Sequence, residues 1–144
     1  MQTKKFFAIV LTVVLAIVFS VPCLAYSENH SDEVKPLYTL AINPRSYITV
    51  SGTTAYCESR VNGLETKVSS ISVVQTLQKH WAFGIYSDVQ GATWSKSVNG
   101  TSISISKTKT GLESGTYRVK AVFTLTAKDG TSETITVYSD SKVI

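Results

Sequence analysis

Cysteine is nearly absent from this chain: only Cys23 and Cys57 occur. Small exported domains often lean on disulfides. With one of the two cysteines in a segment expected to be removed, an internal bridge is excluded and packing must hold the domain. Histidine is as scarce, with His30 and His80 alone. These residues cannot furnish a tetrahedral zinc site without carboxylates from elsewhere, and no ligand spacing points to one. Basic clusters are missing too. Lys107, Lys109, Arg118 and Lys120 are spread along strand-like stretches, so the sequence pI near 9.1 is no nucleic-acid footprint. Outside the first 25 residues no long stretch has helical periodicity, and no catalytic or cofactor motif is present.

What is there begins with an export signal. Lys4 and Lys5 open the chain without an acid, and Phe6–Val21 follows without a charge. Pro22 breaks the run and Ala25 ends it on a small residue. That order is a secretory signal peptide over residues 1–25, helical and cleaved after Ala25. As an uncut anchor the run falls short of the ~20 residues a spanning helix needs. Lipid attachment at Cys23 is disfavoured by Val21-Pro22. Losing Lys4 and Lys5 from 14 basic residues, against 10 acids, leaves a net charge of about +2. The expectation is a secreted, extracellular monomer. No second apolar span follows, so no membrane contact is expected after cleavage.

Residues 26–43 read as a polar, disordered lead, poor in apolar surface. From residue 44 to 144 β-branched and aromatic residues alternate with polar ones, which is strand chemistry. Ala55, Cys57, Ser59 and Val61 take one face, and Thr54, Tyr56, Glu58 and Arg60 the other. Val68–Gln78 is a long strand with Ile71, Val73 and Leu77 on one side. Trp81, Phe83 and Ile85 alternate as a further strand, with Trp81 and Phe83 read as core. Asn62-Gly63 and Asn99-Gly100 are turn signals, the second joining a hairpin. Thr116–Ala127 and Ser132–Ser139 flank Asp129-Gly130, the strongest hairpin signal in the chain. Seven to eight short strands at this spacing predict an all-β fold, an antiparallel β-sandwich of immunoglobulin-like type. A small closed barrel is the alternative.

Leu112-Glu113-Ser114-Gly115-Thr116-Tyr117-Arg118-Val119 resembles the start of strand F in immunoglobulin-like and fibronectin-like sandwiches. The resemblance implies that Tyr117 is a corner tyrosine bonded back to upstream backbone. It also implies that Val119 and Cys57 stand where antibody domains place their bridging cysteines. A wider pattern resembles small secreted proteins of Gram-positive bacteria without assigned activity. It runs Ile48-x-Val50-x-Gly52-x-Thr54, then Leu77-Gln78 leading to Trp81, then Gly115-Thr116-Tyr117-Arg118-Val119, and closes on Gly130-Thr131-x-Glu133. It implies a bacterial exported β domain and supplies no catalytic residue.

Candidate sites are few. A cysteine nucleophile needs a base, and only Cys57 and His80 are available. Cys57 faces inward, where a thiol is a small apolar group. Acids fall in turns or on outward positions rather than as a facing pair. The stretch from His80 to Trp94 is the best binding candidate: Trp81, Tyr86 and Trp94 offer aromatic faces, with Asp88 and Gln90 at the edge. The reading is a non-enzymatic exported β-sandwich without cofactor that meets an extracellular protein or glycan. The alternatives are a polysaccharide-binding module and, last, a small hydrolase.

Overall fold

The computed structural model describes residues 37–144. The expected signal peptide and the lead up to residue 36 lie outside the described residues. The strands are β1 (Ala41–Ser51), β2 (Thr54–Gly63), β3 (Val68–His80), β4 (Tyr86–Asn99), β5 (Ser102–Lys109), β6 (Thr116–Ala127), β7 (Ser132–Tyr138) and β8 (Lys142–Val143). They form two sheets, β1-β2-β5 and β4-β3-β6-β7, with β8 paired to the start of β6. Every pairing is antiparallel. The chain crosses between sheets after β2, β4 and β5, as in an immunoglobulin-like sandwich. The barrel alternative is excluded by the two separate sheets.

Alternation places the core. Along β6 the side chains of Tyr117, Val119, Ala121, Phe123 and Leu125 are buried, and their neighbours are half-exposed. In β2, Ala55, Cys57, Ser59 and Val61 are buried and Tyr56, Glu58 and Arg60 are exposed. A strand shows its two faces to different surroundings, so period 2 in polarity becomes period 2 in burial. Cys57 and Val119 belong to one apolar cluster, on strands of opposite sheets. The Tyr117 hydroxyl donates to the Glu113 carbonyl at 2.8 Å, which is the corner bond expected of it.

The core is divided. One cluster gathers Ile71, Val73, Phe123, Leu125, Ile103 and Ile105. The other, nearer the β3–β4 connection, gathers Ile48, Leu77, Tyr117 and Val119. Between them lies a buried polar row. Gln75 Nε2 donates to Ser59 Oγ at 2.8 Å, and the Ser59 and Ser46 hydroxyls are 2.9 Å apart. Gln75 Oε1 has no partner among the described residues. An orphaned buried acceptor of this kind costs about 1–3 kcal/mol.

Three local expectations are corrected. The fold starts before residue 44: Leu40 and Ala41 are buried and β1 begins at Ala41. The strand accommodates Pro44 at an edge, where the register shifts between Ile42 and Arg45 and Asn43 takes φ 50°; edges and bulges are where sheets tolerate proline. Asn62-Gly63 is the end of β2, and Gly63 stays because a Cβ there would sit 2.7 Å from Val68 Cγ2. Asn99-Gly100 makes no hairpin, since β4 and β5 belong to different sheets.

Candidate functional site: the aromatic end of the β3–β4 hairpin

β3 and β4 pair from Ser70↔Asn99 to His80↔Tyr86. The partner strand β6 stops following β3 at Lys79↔Tyr117. The end of the hairpin therefore overhangs the sandwich. Its loop closes tightly: Ile85 N–H donates to Ala82 O at 2.9 Å and Trp81 N–H to Ile85 O at 2.8 Å. Phe83 (φ 50°) and Gly84 (φ 76°) hold the two central positions. Positive φ at both is the type I′ turn, whose twist suits a two-stranded hairpin.

This overturns the expected strand through Trp81, Phe83 and Ile85. They form the turn, and none is core: Trp81 is 80% exposed, Ile85 is 60% exposed and Phe83 is fully exposed. The alternation is real, but no facing sheet reaches far enough to cover it. Phe83 is also a bulky residue in the left-handed region, which costs about 1–2 kcal/mol relative to ordinary backbone. Asparagine and glycine are the usual occupants of that position.

Beside the tip, on the outer face of the larger sheet, lies an arginine–tyrosine stack. The Arg118 guanidinium sits 3.7 Å from the Tyr86 ring centre and 4.2 Å from that of Tyr138. Arg118 Nε donates to Gln78 Oε1 at 3.0 Å, and Gln78 Nε2 donates to Asp88 Oδ1 at 2.7 Å. The Tyr86 and Ser141 hydroxyls share a hydrogen bond of 2.8 Å, and the His80 ring meets Tyr86 edge-on at 5.1 Å. Tyr86 and Asp88 are thus brought together, but by a network that uses their binding capacity internally. Gln90 is exposed beside Gly91. Trp94 pairs with Gln75 and packs against both core clusters. Of the five expected binding residues, Trp81 alone stands at the apex with its ring largely open. Nothing in alternation marks the outward Arg118 as stacked or Tyr138 as its partner.

Two other places are accounted for structurally. Cys57 is 1% exposed, and burial pushes its thiol up to about 11, so it is uncharged at neutral pH. His80 lies on the outer face of the opposite sheet and cannot serve it as a base. At the far end of the sandwich an open cleft of about 580 Å³ is lined by Leu40, Lys67, Lys128, Asp129 and Glu133. Its two carboxylates are committed: Asp129 Oδ1 accepts from the Thr131 N–H at 2.9 Å and hydroxyl at 2.7 Å. Glu133 accepts hydrogen bonds from Thr39 N–H (2.9 Å), Leu40 N–H (2.8 Å) and Thr39 Oγ1 (3.1 Å). Partial desolvation works to raise its pKa, but these donors outweigh it and hold the carboxyl below its ordinary value.

No protein-family model matches the chain, and no curated protein matches it in sequence. Solved structures similar to it include OgpA from Akkermansia muciniphila, 12% identical over 77% of this chain, with a TM-score of 0.35. The chain spans only 33% of the OgpA chain. The CARDB domain of the PF1109 protein from Pyrococcus furiosus, solved with di-metal ions, is 18% identical. There the match covers 76% of this chain and 97% of that one, with a TM-score of 0.33. Spo0M, a sporulation control protein from Bacillus subtilis, is 13% identical over 73% of this chain and 51% of its own, with a TM-score of 0.27. Likenesses this distant carry no function across.

Proposed function

We propose that this chain is an exported, non-enzymatic contact protein of a bacterial cell exterior, related to the small secreted Gram-positive proteins it resembles. Its contact is made by the overhanging end of the β3–β4 hairpin. The observation that carries this reading is Phe83: a fully exposed aromatic held in a strained backbone conformation, with no packing role in the sandwich. Strain of that kind persists where the rest of the fold imposes it, and it gathers at functional sites. The inert Cys57 and the committed Glu133 support a role without chemistry.

The glycan-platform alternative is less well supported. A sugar-stacking site wants open aromatic faces with free polar groups at the rim. The Tyr86 face is taken by Arg118, Asp88 is bonded to Gln78, and Trp94 is half-buried against both core clusters. Around Trp81 the neighbours are Phe83 and Ile85.

The test compares the exported protein with its Trp81→Ser/Phe83→Asn variant, each immobilised and exposed to culture supernatant, cell-wall glycan and envelope fractions. Retention by the parent that is lost in the variant is expected. Identical retention by both would move the contact away from this hairpin.

A further inference from the structure

We infer that the hairpin tip inserts into the interfacial layer of a lipid membrane, with Trp81, Phe83 and Ile85 as the inserted side chains. This rests on the contact role above and names its partner.

Four features favour a lipid surface. The first is charge. From His80 to Ser87 the chain carries no acid, lysine or arginine. The second is size. A Trp or Phe buries at most about 150–250 Å². With Ile85 added, the tip stays below the ~800 Å² that each partner gives to a standard protein–protein interface. A convex apolar tip of this size needs a medium that closes around it, and a lipid interface has no fixed shape to match. The third is the backbone. Trp81 and Ile85 N–H groups are already bonded within the turn, which lowers the cost of taking them out of water. The fourth is the residue set. Tryptophan favours the headgroup level, where its ring is buried and its N–H stays wet, while Phe and Ile favour the acyl side.

The surroundings also say what kind of membrane. Lys79 is cancelled by Glu113 at 3.1 Å. Arg118 is stacked between two tyrosines and linked through Gln78 to Asp88. Among the described residues, Lys142 on β8 beside Tyr117 and Lys109, whose Nζ lies 3.5 Å from a Cβ placed on Gly91, are further bases at this end, set back from the apex. Binding is therefore carried by the apolar tip and persists on zwitterionic lipid and at high salt, with these lysines adding a salt-screened preference for anionic lipid.

The experiment is vesicle co-sedimentation of the exported protein, beginning at Tyr26, and of its Trp81→Ser/Phe83→Asn variant. Phosphatidylcholine vesicles are compared with mixed phosphatidylcholine–phosphatidylglycerol vesicles. Both proteins lack the apolar run Phe6–Val21 and carry the same residues 26–36, so any difference belongs to the tip. Thermal unfolding verifies that the variant is folded. The parent is expected to partition about tenfold or more in favour over the variant, since each lost apolar side chain weakens transfer by at least that order. Its tryptophan emission is expected to shift to the blue with vesicles, and the variant's is not. Equal partition of the two proteins, whether high or low, overturns the inference. So does tip-dependent self-association in solution without vesicle binding. If partition is equal but retention of a protein or glycan still depends on the tip, the lipid partner falls and the contact role stands. If neither depends on the tip, both fall.

Discussion

Phe83 is the residue at which folding and function part company. Its φ of 50° is what the turn demands, and its side chain touches nothing that the turn needs. Replacing it with a residue at ease in the left-handed region relieves strain without opening a cavity. Phe83→Asn is expected to raise the unfolding free energy by about 1 kcal/mol, measured by urea denaturation. A loss of stability would mean that the ring packs on the hairpin in solution. Tyr117 is the opposite kind of residue, buried and bonded. Tyr117→Phe removes its hydroxyl from the Glu113 carbonyl and is expected to cost about 1–2 kcal/mol. A midpoint unchanged in the same titration would show that the corner bond is dispensable.

Among the elements, β6 and β7 were the most legible in the sequence. Their alternation is unbroken, and Asp129-Gly130 marks the turn, where Asp129 Oδ1 accepts from the Thr131 N–H and hydroxyl. The start of β1 is illegible because residues 26–43 are polar as a stretch, and the edge position of the strand is what makes Asn43 and Pro44 tolerable within it. The end of the β3–β4 hairpin is illegible for a different reason. Trp81, Phe83 and Ile85 have strand chemistry and strand spacing, and the bond pattern that makes them a turn involves no turn-forming residue except Gly84. Whether such a segment is covered depends on how far the neighbouring strand runs, which local pattern does not encode. The start of β1 adds a pH dependence. Glu133 holds Thr39 and Leu40 through its carboxylate, with its folded pKa below the unfolded value. Between those two values the unfolded chain binds more protons, so stability rises with pH. The stabilisation is complete above the ordinary value of about 4.3 and is lost as pH falls through the folded pKa. Glu133→Gln is expected to flatten that acid limb in a series of urea midpoints against pH. An unaltered limb would assign it to other carboxylates.

At the scale of the molecule, Cys57 reports on the whole sandwich. At 1% exposure and with a neutral thiol, it reacts only when the sheets part. Its labelling by a thiol reagent is expected to be negligible in native buffer and to follow the global unfolding transition in urea. Rapid labelling of native protein would show the sheets parting more easily than their packing implies. The buried row of Gln75, Ser59 and Ser46 has a further consequence. It separates a large apolar cluster, rich in Ile, Phe and Leu, from a smaller one that lies under the hairpin. Two pools of side chains that touch mainly through Trp94 and a polar seam need not open together. Backbone amides around Leu77 and Val119 are expected to exchange with deuterium at a lower free energy than those around Val73 and Phe123. The half that carries the apolar tip would then be the pliable one, anchored by a stiffer half that keeps the fold while the tip rearranges at its target.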